Sequence, residues 1–343
     1  MRTWLIAGAA LLATALLVTL GLVRPAPAHP AAAALAATSG RTILSVVAHP
    51  DDDLLFLNPD ILSDIRAGST VWTVFLTDGR ANGDPAQHDA DFVDARIRGV
   101  RAAYAAMAGV PDRWTFVPLV FNGHEVATNH LEGTRVHLAF LFVRGAANCC
   151  LRGDPFGDLF RLLQDPAHVA RPSDGRAPYT RDSLVGTLRA LTDAVNPDQI
   201  RSLYSLGHRD TGLALDHCDH TAAAILTGLS DSDARSRTLR TRREYWGYRV
   251  RTQPDNQARM WQGPKFSAWQ AYVAHDPGLP GPQAWNYGLL ARSYAPADRV
   301  FPPGSLWTPP ADFGTCPDRA GNPVSWASWN LEFGKEGRHD PKR

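Results

Sequence analysis

The pattern of apolar and polar positions predicts alternating strands and helices over the first two thirds of the chain. Continuous apolar runs bounded by turn residues are typical of strands that are buried on both faces. Such runs predict strands at residues 42–48, 71–76, 114–120, 136–143 and 199–205. Apolar residues spaced three and four apart predict helices at residues 54–66, 92–107, 183–195 and 220–229. The alternation predicts an α/β fold, a Rossmann-like open and mostly parallel sheet with helices on both faces.

The pattern changes beyond residue 231. Residues 242–251 alternate in the manner of an exposed strand, and the sequence that follows is rich in Trp, Pro and Gly. We expect one folded domain over residues 41–333, with this Trp- and Pro-rich segment as its C-terminal part. The polar residues 334–343 are expected to be a disordered tail.

The N-terminal segment has the pattern of an export signal. Arg2 precedes an apolar run over residues 5–23, and Pro25-Ala26-Pro27-Ala28 offers an A-x-A cleavage site. We therefore expect a signal peptide at residues 1–28, a linker at residues 29–40, and a secreted or cell-envelope location. Because the apolar run approaches the length of a membrane span, an uncleaved anchor is the alternative, and it is the only membrane contact expected.

Composition narrows the classes of partner. The 343 residues carry a formal net charge of +1, which argues against a nucleic-acid binder with a basic face. Four cysteines fit an oxidising compartment. Pairing of Cys149 or Cys150 with Cys316 is expected, and Cys218 is interpreted as a small packed residue. A structural metal site at the cysteines is not expected, because the sequence contains no C-x-x-C spacing.

A dense group of ionisable residues follows the first predicted strand. His49, Asp51, Asp52 and Asp53 lie in Ala48-His49-Pro50-Asp51-Asp52-Asp53, where a parallel sheet binds its ligands. Unpaired carboxylates are costly to bury, so the group indicates a metal site with a base beside it. A catalytic zinc needs three protein ligands, and His49 and Asp52 supply two that can face one point.

The third ligand is expected from the segment Asp216-His217-Cys218-Asp219-His220. It lies between the strand predicted at 199–205 and the helix that follows. His217 and His220 are three positions apart, which puts them on one face if the helix begins there.

These motifs resemble the PIG-L/LmbE superfamily of zinc-dependent de-N-acetylases, which act on N-acetylglucosamine conjugates and related N-acyl substrates. The resemblance is carried by Ala48–Asp53, by Leu76-Thr77-Asp78-Gly79 at the end of the second strand, and by the later H-x-D-H. It covers about residues 42–224. A looser similarity is the pattern of Lys265, Ala268 and Tyr272.

The resemblance implies a role for each site residue. His49, Asp52 and His220 are implied to be zinc ligands, Asp51 the general base, and His217 a catalytic histidine. On chemical grounds, the imidazolium of His217 is expected to stabilise the oxyanion and to help protonate the departing amine.

Other positions are interpreted with less support from the motif. Asp219 is expected to hold His217 or a ligand, Asp53 to lie at a helix start, and Asp78 to be either a site residue or a turn residue. The family's common Arg-x-x-Glu pair is changed here, because Arg96 is followed by Gly99.

The sequence thus predicts an exported zinc hydrolase that removes an acetyl or other acyl group from an amino-sugar-type substrate, a small molecule or a glycan. Three alternatives remain open. One is a zinc hydrolase of another amide or ester. Another is magnesium-dependent phosphoryl transfer, which the leading histidine disfavours. The last is a non-catalytic relative that binds glycans through its tryptophans.

Overall fold

The computed structural model describes residues 40–80, 90–146, 157–165, 167–205, 216–231, 240–279, 288–295, 298–301, 315–317 and 323–325. The segments predicted as signal peptide (1–28) and tail (334–343) lie outside the described residues, as does the linker apart from Gly40. None of the described helices is long and apolar enough to cross a membrane.

Eleven strands are numbered in chain order among the described residues. They are β1 Thr42–Val47, β2 Thr70–Thr77, β3 Trp114–Phe116, β4 Leu119–Phe121, β5 His124–Leu131, β6 Val136–Val143, β7 Gln199–Leu203, β8 Arg240–Tyr245, β9 Asp298–Phe301, β10 Thr315–Pro317 and β11 Pro323–Ser325. Six α-helices accompany them. They are α1 Asp60–Arg66, α2 Ala90–Ala108, α3 Leu159–Gln164, α4 Arg181–Val195, α5 Cys218–Asp231 and α6 Arg259–Val273.

The main sheet has the order β3-β5-β6-β2-β1-β7-β8-β9, and β4 pairs with β5. The five central strands, from β6 to β8, are parallel. Antiparallel pairs occur only towards the two edges of this sheet, where β3 and β4 pair with β5, β5 with β6, and β9 with β8. The described strands confirm the predicted open, mostly parallel sheet.

Helices cover both faces of this sheet. Successive side chains of a strand point to opposite faces, so Val46 joins one apolar cluster and Val47 the other. The first cluster packs the sheet against α3, α4 and α5. The second packs it against α1, α2 and α6. Two separate cores therefore hold the central strands in a fixed position, with their carboxyl ends at one edge.

The helix predicted at residues 54–66 is broken in the structure. A π-helical turn, Asp53–Leu57, precedes α1, and Asn58 and Pro59 separate the two. Proline has no backbone N–H and cannot continue a helical ladder, which accounts for the break. Short π-helical turns are often found at functional sites.

The prediction that residues 114–120 form the third parallel strand was wrong. That segment divides into β3 and β4, both antiparallel to β5, and β6 is the parallel neighbour of β2. Strand β5 was missed because His124–Leu131 mixes polar and apolar residues and contains no continuous apolar run.

The exposed strand predicted at residues 242–251 was also misplaced. Strand β8 begins at Arg240 and ends at Tyr245, and it lies between β7 and β9. Arg242 is fully buried, and a 3-10 turn over Tyr248–Thr252 follows. The arginines gave a buried strand the polar pattern of an exposed one.

Candidate active site

The candidate site lies where β1 and β7 end side by side. From β1 the sheet continues through β2 and β6 on one side, and through β7 and β8 on the other. The strand order therefore reverses between β1 and β7, as it does at ligand sites of open α/β sheets. His49 follows β1, whereas His217 and His220 come from the start of α5. One ring nitrogen of each histidine lies within 4.8 Å of the others. The structure therefore brings together the two motifs that the sequence analysis selected.

Asp52 and His220 present two buried atoms to each other. The Oδ2 atom of Asp52 accepts a hydrogen bond of 2.7 Å from the backbone N–H of His49. Its Oδ1 atom lies 2.9 Å from Nε2 of His220, and neither atom has a hydrogen-bond partner of acceptable geometry among the described residues. A buried oxygen and a buried nitrogen that converge in this way fit a divalent cation.

Asp216 fixes the orientation of the His220 ring. Its Oδ1 atom lies 2.7 Å from Nδ1 of His220 and also accepts from the backbone N–H groups of His217 (3.0 Å) and Tyr248 (3.2 Å). Burial lowers the pKa of His220, but the charges of Asp52 and Asp216 outweigh burial and raise it. In the neutral ring, the contact with Asp216 favours a proton on Nδ1 and leaves the Nε2 lone pair directed at Asp52. No motif indicated this role of Asp216, although its position four residues before His220 is visible in the sequence.

Two carboxylates surround His49. Its Nδ1 atom lies 3.3 Å from Oδ2 of Asp52, and its Nε2 atom lies 3.4 Å from Oδ2 of Asp219. Burial lowers the pKa of His49, but the charge of Asp52 and the hydrogen bonds that the ring donates to both carboxylates outweigh burial and raise it to about 9. A metal ion would compete with this proton for the ring.

His217 is held in one tautomer by its own helix. Its Nδ1 atom accepts a 3.2 Å hydrogen bond from the backbone N–H of Asp219, so the neutral ring carries its proton on Nε2. Burial, reinforced by the positive charge of His49, lowers the pKa of His217 to about 3. The structure thus describes a neutral donor rather than the imidazolium expected from the sequence. A neutral N–H donor can still stabilise an oxyanion.

Asp51 lies beside the cluster but faces partly outward. Its side chain is 16% exposed, whereas that of Asp52 is 1% exposed. Its Oδ2 atom lies 2.7 Å from Nη2 of Arg96. Burial raises the pKa of Asp51, and the charge of Arg96 opposes that rise. A carboxylate that is accessible, and that has a raised proton affinity, suits a general base.

Asp219 and Asp78 hold the loop after β6 against the site. Asp219 accepts a 2.7 Å hydrogen bond from the backbone N–H of Ala146, and its Oδ2 atom is 3.9 Å from Nδ1 of His217. Asp78 accepts 3.2 Å hydrogen bonds from the backbone N–H groups of Gly145 and Arg80. In the structure the carboxylate of Asp219 lies closer to His49 than to His217, and the carboxylate of Asp78 binds loop backbone.

Two neighbouring residues have contacts that the sequence did not indicate. Asp53 lies at the start of a helical turn, as expected, but it is completely buried and accepts a 2.7 Å hydrogen bond from the Tyr104 hydroxyl. Cys218 is packed in the core, as expected, and it is also disulfide-bonded. Its sulfur is therefore not a thiolate, and the alternative metal cluster of His217, Cys218 and Asp219 is disfavoured. The side chains of the other three cysteines lie outside the described residues.

The donor set matches the chemistry of zinc. Imidazole nitrogens with one carboxylate oxygen are ligands that zinc accepts in catalytic sites, and the partners of His220 and His49 orient the rings from outside. His49, Asp52 and His220 could hold the ion. Since Nδ1 of His217 accepts from the backbone and Nε2 carries the proton, that ring has no free lone pair to offer.

The comparisons identify the family. The family described as PIG-L, GlcNAc-PI de-N-acetylase, matches residues 44–228, more than half of the 343 residues. The chain belongs to the PIG-L family. No curated protein is significantly similar to it in sequence.

Solved structures with a similar chain course share little sequence with this protein. The N,N'-diacetylchitobiose deacetylase of Pyrococcus horikoshii is 14% identical, with a TM-score of 0.43, over 78% of this chain and 85% of that one. A triple mutant of a deacetylase of the teicoplanin biosynthetic pathway is 14% identical, with a TM-score of 0.41, over 73% and 88%. The 4-carboxy-2-hydroxymuconate hydratase of Pseudomonas putida is 15% identical, with a TM-score of 0.40, over 72% and 82%.

Proposed function

We propose that this member of the PIG-L family is an exported zinc-dependent hydrolase that removes an acetyl group from an N-acetylated amino-sugar-type substrate. One observation carries the proposal. Asp52 Oδ1 and His220 Nε2 are buried, converge at 2.9 Å without a hydrogen bond, and lie beside the third candidate ligand, His49. Each of the two atoms has given up water, and within the described residues each faces only the other, so a cation bound between them would satisfy both.

The chain's residues divide the work of amide hydrolysis. His49, Asp52 and His220 would hold zinc, which lowers the pKa of a water molecule and polarises the amide carbonyl. Asp51 takes the proton from the attacking water and passes it to the nitrogen of the departing amine, so it acts first as base and then as acid. His217 donates its Nε2–H to the oxygen that becomes negative in the tetrahedral intermediate. The products are acetate and a free amine.

The acetyl group is favoured over other acyl groups by family membership. The matched family is described as a de-N-acetylase, which supports hydrolysis of a carbon–nitrogen amide bond. The same description names an N-acetylglucosamine conjugate, which supports an amino-sugar-type substrate. We expect a small molecule or a glycan as the partner, and no nucleic acid, because the net charge is only +1.

Export is proposed from two features of the chain. The apolar run at residues 5–23, with the A-x-A site that ends at Ala28, is typical of signal peptides. A disulfide at Cys218 is typical of proteins that mature in oxidising compartments. An extracytoplasmic enzyme would meet envelope glycans, glycolipids or exported metabolites.

A substrate screen tests the proposal. Zinc-loaded protein and an Asp51→Asn variant would be incubated with N-acetylated sugars, their conjugates and cell-wall fragments, and released acetate would be quantified. We expect acetate from at least one N-acetylglucosamine conjugate with the wild type and background release with the variant. Release of a different acid, or from an ester alone, would contradict the deacetylase assignment in favour of another zinc hydrolase.

A further inference from the structure

The guanidinium of Arg96 is buried between two carboxylates that come from distant parts of the chain. Its Nη2 atom lies 2.7 Å from Oδ2 of Asp51, and its Nε atom lies 3.1 Å from Oδ2 of Asp276. Nε is also 2.7 Å from the hydroxyl oxygen of Tyr272. The Arg96 side chain is only 7% exposed. The orientation of Arg96 therefore depends on residues at the end of α6 as well as on Asp51.

The remaining donors of Arg96 bind the backbone of the two motif loops. Nη2 donates to the carbonyl of Pro50 at 3.1 Å, and Nη1 donates to the carbonyl of Gly79. A Cβ at position 79 would come within 2.5 Å of Nη1, and Gly79 has a φ of +71°. Glycine is thus needed at position 79 for both space and conformation. Arg96 joins the loop after β1 to the loop after β2.

The close packing of α6 leaves no space for an acidic side chain at position 99 of α2. A Cβ at Gly99 would lie 2.7 Å from the backbone oxygen of Tyr272 and 2.8 Å from its ring. A glutamate at position 99 would therefore collide with α6. The carboxylate that accompanies the arginine comes instead from Asp276.

Tyr272 and Asp276 form a single acceptor for Arg96. The Tyr272 hydroxyl donates to Oδ2 of Asp276 at 2.5 Å, and its oxygen accepts from Nε of Arg96. The other oxygen of Asp276 accepts from the backbone N–H of Gly278 at 2.8 Å. Asp276 is 5% exposed, so solvent does not substitute for these contacts. The Nε atom of Arg96 is thus held by Tyr272 and Asp276, and its Nη2 atom contacts Asp51.

We propose that Asp276 and Tyr272 are positioning residues that hold the Arg96 guanidinium so that it orients the Asp51 carboxylate. This rests on the proposed function, in which Asp51 is the base. Without the Asp276 charge, Arg96 keeps its contacts to the carbonyls of Pro50 and Gly79, but its Nε end loses the charged acceptor, so the guanidinium shifts and moves Asp51 with it. The family match ends at residue 228, so it does not include either residue.

The test uses two variants that change few atoms. Asp276→Asn removes the charge and keeps the shape, and Tyr272→Phe removes only the hydroxyl. Matched controls are Asp60→Asn and Tyr245→Phe, because Oδ2 of Asp60 accepts from Tyr245 at 2.6 Å and from Arg243 at 2.7 Å without contact to Asp51. Metal content and melting temperature would be measured for every variant.

The kinetic arm separates positioning from structure. We expect kcat to fall at least about tenfold in both Asp276→Asn and Tyr272→Phe, with KM changed less than about twofold and the metal content full. The controls keep the wild-type kcat. Variants at Tyr272 and Asp276 that lose melting temperature but keep kcat would overturn the proposal, since that is the result of a structural role.

A crystal structure of the Asp276→Asn variant tests the proposal without an activity assay. In Asp276→Asn we expect the 2.7 Å contact between Arg96 Nη2 and Asp51 Oδ2 to be lost or lengthened by roughly 1 Å. An unchanged contact would overturn the proposal. If the wild type releases no acetate from any substrate, the proposed function fails, and this crystal structure alone decides whether Asp276 sets the position of Asp51.

Discussion

Oδ1 of Asp52 and Nε2 of His220 lie 2.9 Å apart, although the two residues follow different strands of the sheet. Asp52 belongs to the turn after β1, and His220 belongs to the first turn of α5. The chain fixes each side chain from behind, Asp52 through the backbone of His49 and His220 through Asp216. Oδ1 of Asp52 and Nε2 of His220 are thereby directed at one point.

We predict that Asp216→Asn weakens metal binding without removing it. The amide cannot carry the negative charge that favours the Nδ1 proton of His220, so Nε2 becomes a poorer ligand. Affinity for zinc should fall on the order of 10–100-fold, as measured by competition with a chromophoric chelator. His220→Ala should lose the metal altogether. An unchanged affinity in Asp216→Asn would refute the role assigned to Asp216.

Asp51→Ala is expected to keep zinc and lose turnover. Asp51 is the more exposed carboxylate, and its described partner is Arg96 rather than a candidate ligand. Removing a general base typically costs about 10²–10⁴-fold in rate. Zinc by elemental analysis and initial rates of acetate release are the two measurements. A variant that deacetylates at the wild-type rate would show that another group is the base.

Gly99→Ala should destabilise the protein, whereas Gly263→Ala should not. The new methyl group at position 99 would press on the backbone of Tyr272, which cannot move without moving α6. Overpacking of this kind costs about 1–3 kcal/mol. Position 263 lies in α6 with open space around it, and alanine there favours the helix. The free energies of unfolding from urea titrations would be compared, and equal values for the two variants would contradict the close α2–α6 contact.

Lys265 is expected to make stability depend on pH. Its Nζ atom donates to the carbonyls of Leu55 and Arg292, both at 2.9 Å, and burial lowers its pKa to about 7, with Asp60 opposing the shift. Between pH 7 and the ordinary lysine pKa, the unfolded chain binds more protons than the folded one. Stability therefore rises with pH over that window, by up to about 1.4 kcal/mol per pH unit, and this gain is absent below pH 7.

The matched variant for this effect is Lys265→Met. It loses the two hydrogen bonds at every pH, but it also loses the cost of burying a charge. The difference in unfolding free energy between wild type and variant should therefore grow as the pH rises from 7 to 9.5. A difference that stays constant over this range would show that folding does not lower the pKa of Lys265.

Much of the site could be predicted from the sequence because its residues are local in two short motifs. The order of residues 48–53 behind an apolar run, with the histidines at 217 and 220, was sufficient to select the group that the structure brings together. Asp216 could have been found from its spacing to His220. The roles proposed for these residues stay predictions.

The contacts of Arg96 could not have been predicted in the same way. Asp276 and Tyr272 lie far along the chain from Arg96, and nothing in their own neighbourhood indicates a partner on α2. The neutral state of His217 likewise depends on burial, which no motif reveals. Strand β5 and strand β8 were missed or misplaced because polar side chains broke the apolar runs from which strands are predicted.

Acetate release from an N-acetylglucosamine conjugate, measured on one preparation before chelation, after chelation and after zinc is restored, tests zinc-dependent deacetylation. We expect release by the zinc-loaded protein, loss on chelation, and recovery with added zinc. Release that is unaffected by chelation, or a fully zinc-loaded protein that releases no acetate from any N-acetylated substrate, would contradict this expectation.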